Sequence, residues 1–140
     1  MGIKPKAAPS SQSIKTQSIP NDTVRFTFKY YQTASEKFHA NDRDPNYFLT
    51  LLERLKNVCT LTATFFRNNG SDALRSHVIG WEETTETDGF SCFNNQLKDY
   101  ASSHAYQFSV SANAHGRVHG FLIDDLFYVV WLDPTHKLYP

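Results

Sequence analysis

The strongest constraint on the fold is a pair of apolar runs near the end of the sequence, residues 117–123 and 126–132, separated by two acidic residues. Acidic residues between two such runs are typical of a two-residue β-hairpin turn. With Asp124 and Asp125 in the turn, Ile123 faces Leu126. The same register then pairs Leu122 with Phe127, Gly120 with Val129, and Val118 with Trp131 on one face. A slip of one residue would bury Arg117, so the pattern favours this register.

The opposite face of the predicted hairpin carries polar side chains. In the same register Phe121 faces Tyr128, His119 faces Val130, Arg117 faces Leu132, and His115 faces Pro134. The preceding run alternates likewise, with Tyr106, Phe108 and Val110 on the apolar side and Gln107, Ser109 and Ser111 on the polar side. We therefore expect one face of the sheet to be core and the other to present two histidines and an arginine.

The earlier part of the chain predicts a strand and two or more helices. Residues 24–30 alternate as a half-buried strand does. Asp44 is a favourable N-cap, which predicts an amphipathic helix from Pro45 to about Val58. Its apolar face would carry Phe48, Leu51, Leu52, Leu55 and Val58. Residues 60–66 fit a short helix capped by Thr60 or Thr62, which we favour, or a strand of alternating threonines. Residues 93–100 fit further helical turns, and an acidic loop, residues 82–88, lies between aromatic residues that would pin it.

These elements together predict an α+β fold. A small antiparallel sheet, formed by the N-terminal strand and three C-terminal strands, would pack against two or more helices. Residues 23–140 would form this domain. Residues 1–22, which are rich in Lys, Pro, Ser and Gln, are predicted to be a disordered tail.

Composition narrows the functional classes. The chain has 14 basic and 14 acidic residues, and a formal net charge of zero gives no reason by itself to expect a polyanionic partner. No secretory signal and no apolar run of about 18 residues is present. The two cysteines, Cys59 and Cys92, form no CxxC pair. We therefore expect a cytoplasmic protein that makes no contact with membranes.

The C-terminal residues resemble a known family. Residues 117–131, RVHGFLIDDLFYVVW, and the closing residues His136, Lys137, Leu138 and Tyr139 resemble the C-terminal half of RelE/YoeB-like toxins of the RelE/ParE superfamily. In that family an arginine opens the penultimate strand, an acidic turn and an apolar last strand follow, and a His/Tyr pair ends the chain. The resemblance is confined mainly to residues 106–139 and extends weakly to the order of strand, helices and sheet.

The resemblance implies a toxin-like endoribonuclease that cleaves mRNA at the ribosome without a metal or cofactor, and that is controlled by a cognate antitoxin protein. In this chemistry a 2′-hydroxyl attacks the adjacent phosphate. The reaction needs a base, an acid, and positive charge on the phosphorane. By position, Arg117 matches the phosphate-stabilising arginine, and His136 and Tyr139 match the terminal acid/base pair.

The predicted register adds residues that the resemblance does not supply. Because Pro134 is predicted opposite His115, the last residues would emerge beside Ser111, His115 and Arg117. Imidazoles next to a guanidinium suit proton transfer around a phosphate. The catalytic candidates are therefore Arg117, His136, Tyr139 and His115, and the substrate-binding candidates are Ser111, His119, Lys137 and Gln107.

A metal site is not expected. His115 and His119 are four residues apart in a strand, about 13 Å at about 3.3 Å per residue, which is too far for one ion. Only His115, His136 and Asp133 could converge, and their spacing matches no recognised set of ligands.

Two alternatives stay open, because the family resembled here is basic and this chain is neutral. A non-catalytic protein of the same fold, like the ParE branch, would bind a protein such as gyrase. A mobile-element interaction domain would receive a peptide at a sheet edge. The nuclease hypothesis predicts that His136 and Tyr139 surround a polar pocket with Arg117. The non-catalytic protein of the same fold predicts scattered polar groups and an exposed apolar helix face. The interaction domain predicts an accessible edge strand.

Overall fold

The computed structural model describes residues 22–140. Within that range the strands are β1 (Arg25–Thr27), β2 (His77–Val78), β3 (Ala105–Ser109), β4 (Arg117–Ile123) and β5 (Leu126–Asp133). The α-helices are α1 (Pro45–Val58), α2 (Ala63–Arg67) and α3 (Asn95–Ser103), and a 3-10 turn spans Trp81–Glu83. The predicted α+β class is confirmed. The tail predicted for residues 1–22 lies outside the described residues except for Asp22.

The predicted boundaries of the first helix agree with α1. Asp44 caps the helix, because its carboxylate accepts a hydrogen bond from the backbone N–H of Tyr47 at 3.1 Å. The buried face agrees with the prediction only in part: Leu51 and Val58 are buried as expected, but Phe48 and Leu52 are exposed and Tyr47 is buried. The helix is therefore rotated so that Tyr47, and not Phe48, enters the core. No helix among residues 22–140 has the length and apolar content needed to cross a membrane.

The two shorter helices also correspond to predicted segments. The Thr62 hydroxyl accepts a hydrogen bond from the N–H of Phe65 at 3.1 Å, so the cap of α2 is Thr62 and not Thr60. The acidic loop is pinned as expected. The indole Nε1 of Trp81 donates to the carbonyl oxygen of Ser102 at 2.9 Å, which ties the loop to the end of α3.

The described strands make one mixed sheet in the order β1-β5-β4-β3-β2, so the prediction of an antiparallel sheet is wrong in one respect. β1 pairs with β5 in parallel, with Arg25 beside Leu126. A parallel neighbour requires a long connection, and here α1, α2 and the rest of the sheet intervene. β2 was not predicted, because a strand of two residues is too short to show an alternation of side chains.

The β4–β5 hairpin keeps the predicted register only near its turn. Ile123 faces Leu126 and Gly120 faces Val129, as predicted. A β-bulge between His119 and Gly120 then adds one residue to β5, so that His119 faces Trp131 and not Val130. The other displaced pairs are Val118 with Leu132 and Arg117 with Asp133, where the predicted partners were Trp131 and Leu132.

Both faces of the sheet are covered, which corrects the prediction that only one face is core. On the first face, α1 and α2 cover a cluster that includes Tyr47, Phe66, Phe108, Leu122 and Phe127. On the second face, the loop before α3, α3 itself and the C-terminal residues complete a cluster that includes Phe90, Ala101, Phe121, Trp131 and Leu138. His119 is fully buried on this second face, where its ring meets Phe38 and Trp131 edge-on.

Gly120 lies where β4 has no room for a side chain. A Cβ there would overlap the carbonyl oxygen of Tyr128 and lie 2.6 Å from the Phe127 ring. We expect Gly120→Ala to lower the free energy of unfolding in urea by about 2 kcal/mol, as overpacking does. Gly80→Ala is the matched control, because a Cβ at Gly80 would come no closer than 3.4 Å to the surrounding atoms. Equal losses in the two variants would contradict the predicted crowding.

Candidate functional site

A cavity of about 240 Å³ opens on the second face of the sheet, where β2 to β5 meet the C-terminal residues. It is lined by His77, Gln107, Arg117, His119, Asp133, His136 and Tyr139. Each of these side chains carries a hydrogen-bonding group. The cavity is therefore a polar site set into an otherwise aromatic and aliphatic layer.

The floor of the cavity is a row of polar side chains across three strands. His77 on β2 pairs with Gln107 on β3, and Gln107 pairs with His119 on β4. Paired residues point to the same face, so these side chains stand side by side. The Nε2 atoms of Gln107 and His77 are 2.8 Å apart, and His77 Nδ1 lies 2.9 Å from the carbonyl oxygen of Val78. His77 therefore donates through Nδ1 and accepts from Gln107 through Nε2.

His119 forms a buried pair with Asp133. The Nε2 atom of His119 lies 2.9 Å from a carboxylate oxygen of Asp133, and the two side chains are 0% and 1% exposed. The β-bulge creates this contact, because the extra residue in β5 brings Asp133 opposite the end of β4. A carboxylate only accepts hydrogen bonds, so Nε2 carries the proton and Nδ1 is left as an acceptor.

The charge state of this pair follows from its surroundings. Burial lowers the pKa of His119, and the hydrogen bond to Asp133 opposes that shift only in part. Burial opposes the ionisation of Asp133, but hydrogen bonds from His119 and from the backbone N–H groups of Lys137 and Leu138 hold its pKa below its usual range. At neutral pH the pair is a neutral imidazole bonded to an ionised carboxylate.

Asp133 also fixes the path of the C-terminal residues. Its two oxygens accept hydrogen bonds from the backbone N–H groups of Lys137 at 2.7 Å and Leu138 at 3.0 Å. Leu138 is fully buried, and its carbonyl oxygen accepts a hydrogen bond from the N–H of Thr85. One carboxylate thus holds both His119 and the segment that follows β5.

His136 and Tyr139 form the wall of the cavity on this segment. His136 has a φ of 59°, and this left-handed conformation turns the chain just after β5. The hydroxyl oxygen of Tyr139 accepts a hydrogen bond from the backbone N–H of Gly80 at 2.8 Å, and its ring lies edge-on to His77. The Tyr139 side chain is therefore held by contacts with β2 and Gly80, whereas the His136 side chain is exposed.

Arg117 is the permanently charged group of the cavity. Its guanidinium takes part in none of the ion pairs found among residues 22–140, and its Nη1 donates only to the carbonyl oxygen of Gly116. Burial lowers the pKa of Arg117, and the nearby Arg75 guanidinium adds to this, while Asp133 acts in the opposite direction. A half-buried guanidinium beside a second cation favours an anionic ligand.

The structure brings together most of the residues predicted for the site. Gln107, Arg117, His119, His136 and Tyr139 line the cavity. Lys137 is exposed, and its backbone N–H, not its side chain, takes part by binding Asp133.

Ser111 and His115 lie elsewhere. The Ser111 hydroxyl is 3.1 Å from His115 Nδ1, and the His115 ring lies 6.0 Å from that of Tyr47, on the α1 side of the sheet. His115 and Gly116 both have positive φ, and a Cβ on Gly116 would collide with Pro134. Gly116, and not His115, therefore lies against Pro134, and the strand alternation on which His115 was placed ends before it.

His77 and Asp133 were not among the predicted site residues. His77 lies on β2, which is too short to be recognised from alternating side chains. Asp133 was weighed only as a metal ligand, because the predicted register set Leu132 opposite Arg117. The bulge places Asp133 opposite Arg117 where Leu132 was predicted. Nothing in the sequence of β5 indicates this bulge, because Val129 and Val130 are alike.

The three residues considered as metal ligands, His115, His136 and Asp133, do not lie together. His115 lies on the α1 side of the sheet, away from the cavity that His136 and Asp133 line. Among residues 22–140, no three His, Cys, Asp or Glu side chains converge closely enough to hold an ion.

No protein-family model, curated protein or solved structure matches this chain. The function is therefore argued from the geometry and charge of the cavity and from the resemblance in its C-terminal residues.

Asp133→Asn should destabilise the fold and loosen the C-terminal segment. The amide nitrogen would replace an oxygen that accepts hydrogen bonds, so a donor would face a donor in a buried place. We expect a loss of about 3 kcal/mol in urea unfolding and faster hydrogen exchange at the N–H groups of Lys137 and Leu138. Asp88→Asn removes only an exposed ion pair with Lys98 and should leave both measurements nearly unchanged. Unaltered exchange in Asp133→Asn would contradict the anchoring role.

Acid should weaken the fold partly through His119. Its pKa is lowered from 6.5 by folding, so below about pH 6.5 the unfolded chain binds a proton that the folded chain excludes. The free energy of unfolding should fall as the pH decreases from 6.5, with a slope of at most about 1.4 kcal/mol per pH unit from this group. His119→Gln should flatten the dependence between pH 6.5 and 5 in urea titrations, whereas the exposed His104→Gln should not. Identical slopes in wild type and His119→Gln would contradict the contribution assigned to His119.

Proposed function

We propose that the chain is a toxin-like endoribonuclease that cleaves mRNA, in association with the ribosome, by metal-independent attack of a 2′-hydroxyl on the adjacent phosphate. The observation that carries this proposal is that Arg117, His136 and Tyr139, the three residues that match the resembled family by position, line one polar cavity. The nuclease hypothesis requires this convergence. A protein that acted only by binding a target would have no need of it.

Arg117 is proposed to hold the scissile phosphate. Its planar guanidinium matches phosphate oxygens in pairs, and it takes part in none of the ion pairs found among residues 22–140. The phosphorane that forms during the attack carries more negative charge on its oxygens than the substrate does. A fixed cation in a half-buried place therefore stabilises the transition state more than the ground state.

His136 is proposed to transfer a proton at the rim, and Tyr139 is proposed to donate a hydrogen bond to the substrate there. Imidazole is the side chain most often used for proton transfer near neutral pH. The Tyr139 oxygen accepts a hydrogen bond from Gly80, so its own proton is directed elsewhere and is available to a substrate oxygen. His136 protonates the departing 5′-oxygen in this scheme, and Tyr139 orients the phosphate.

The RelE/ParE-like assignment of residues 23–140 is part of the same proposal. It is supported by the order of β1, α1 and α2 followed by the antiparallel strands β3, β4 and β5. The net charge of zero departs from the basic character of the family resembled. Cationic charge is present where the proposed chemistry needs it, since Arg75 lies close enough to Arg117 to perturb its pKa.

A second candidate function, protein binding, is favoured by the exposed face of α1. Leu49 and Leu52 are 66% and 62% exposed, and Phe48 is 40% exposed. Neighbouring exposed apolar side chains on a helix are typical of a protein interface. The partner would be a cognate antitoxin, or a target such as gyrase if the chain is not catalytic. Peptide capture at a sheet edge is less favoured, because the edge strands β1 and β2 have only three and two residues.

Translation in vitro with the purified protein, followed by mapping of mRNA ends, tests the proposal. Wild-type protein should cleave mRNA and leave 2′,3′-cyclic phosphate ends. Arg117→Ala should lower the cleavage rate by about 100-fold or more, as loss of a group that stabilises transition-state charge does. Arg117→Lys should fall between the two, because a lysine keeps the charge but loses the paired geometry.

Arg25→Ala is the matched control for this experiment. Arg25 is exposed and pairs with Asp125 at the turn of the β4–β5 hairpin, the end of the sheet opposite to the cavity. The Arg25→Ala variant should cleave mRNA at the wild-type rate. Absence of cleavage by the wild type would refute the nuclease proposal. Inhibition of translation that persists in Arg117→Ala without cleavage would support the protein-binding alternative.

A further inference from the structure

The floor of the cavity holds buried polar atoms that have no hydrogen-bond partner among the described residues. These atoms are His119 Nδ1, Gln107 Oε1 and, on the same face of β3, Ser109 Oγ. Folded proteins leave few buried polar atoms unpaired, because each costs free energy that a partner would recover. Two of these atoms belong to side chains that line the cavity. A ligand in the cavity would therefore lie against two side chains that carry unpaired polar atoms.

The kind of partner follows from the network around these atoms. His119 donates through Nε2 to Asp133, which leaves Nδ1 with a lone pair and no proton. Gln107 donates through Nε2 to His77, which leaves its Oε1 as an acceptor. The floor thus presents acceptors, and the ligand must donate. The cation Arg117 stands on the neighbouring pair of the same face, two residues from His119 along β4.

A ligand that suits both parts of the cavity carries a hydrogen-bond donor next to an anion. A phosphodiester group alone does not fit, because it accepts hydrogen bonds at Arg117 but has no donor for His119 Nδ1. A ribonucleotide fits, since its 2′-hydroxyl is a donor beside the 3′-phosphate, and a deoxyribonucleotide lacks that donor. The cavity floor therefore distinguishes the two kinds of nucleic acid.

We infer that the 2′-hydroxyl of the cleaved ribonucleotide donates to Nδ1 of His119, and that His119, oriented by Asp133, is the general base of the reaction. This inference rests on the proposed endoribonuclease function. It assigns a catalytic role to a side chain that the resemblance did not select.

His119 Nδ1 takes the proton of the 2′-hydroxyl while the 2′-oxygen forms a bond to phosphorus. The bond between phosphorus and the 5′-oxygen breaks, and that oxygen takes a proton from His136. The products are a 2′,3′-cyclic phosphate and a 5′-hydroxyl. Asp133 stays ionised and stabilises the imidazolium that forms on His119.

A purely structural role for His119 makes different predictions, and His119→Gln separates the two. The glutamine amide can keep a donor near Asp133, where the imidazole Nε2 donates, and it removes the base. Hydrogen exchange at Lys137 and Leu138 should therefore stay close to wild type. Cleavage of an oligoribonucleotide spanning a mapped site should fall by about 100-fold to 10,000-fold, the usual contribution of a general base.

A substrate with a bridging 5′-sulfur at the cleaved position identifies the base directly. Sulfur leaves readily without protonation, so this substrate should restore cleavage by His136→Ala and should not restore cleavage by His119→Gln. The exposed His104→Gln should cleave both substrates at the wild-type rate.

The outcomes separate this inference from the function on which it rests. Cleavage by the wild type together with an undiminished rate in His119→Gln would overturn the role of His119 and leave the nuclease proposal standing. Rescue of His119→Gln by the 5′-sulfur substrate would also overturn it, because that result marks an acid. Failure of the wild type to cleave would overturn both.

Discussion

The hydrogen bond between His119 and Asp133 is the interaction on which this end of the molecule depends. Two ionisable groups leave water there, and such a pair is costly unless its hydrogen bonds are made. Asp133 meets this condition with three donors, namely the His119 ring and the backbone N–H groups of Lys137 and Leu138. The pair positions neighbouring groups more than it adds to the free energy of unfolding. With one carboxylate it fixes the tautomer of His119 and the path of the chain that carries His136 and Tyr139 to the cavity.

The β-bulge between His119 and Gly120 makes this pair possible. Without the extra residue in β5, Asp133 would face Gly116, and Leu132 would face Arg117. The bulge also turns Val130 and Trp131 toward the same core, where Trp131 stacks on Phe38 with ring centroids 4.3 Å apart. The aromatic stack closes the apolar side of the layer in which the polar site lies. A single inserted residue therefore couples the second core of the sheet to the geometry of the cavity.

Local chemistry in the sequence predicted the local parts of the structure. Asp44 before Pro45 predicted where α1 begins, and the acidic pair predicted the turn of the last hairpin and its register as far as Gly120. The convergence of Arg117 with the C-terminal residues was also expected. The bulge was not, since nothing distinguishes Val130 from Val129, and every pair beyond it was displaced by one. His115 was misplaced for a related reason, because positive φ at His115 and Gly116 ends the alternation that a strand would have continued.

The neutrality of the chain and the polarity of the cavity together limit how the proposed nuclease could act on RNA. Exposed charges are screened over about 10 Å at 0.1 M salt, so a surface of mixed charge attracts a polyanion only weakly. Arg117 is half-buried and is screened less, and the negative charge of Asp133 beside it is already engaged by three donors. In the proposed function the cavity would bind one phosphate well, whereas the neutral surface would bind the rest of the strand weakly. The proposed nuclease would then need a partner to deliver it to mRNA. The exposed apolar face of α1 is suited to that task, since its binding does not depend on net charge.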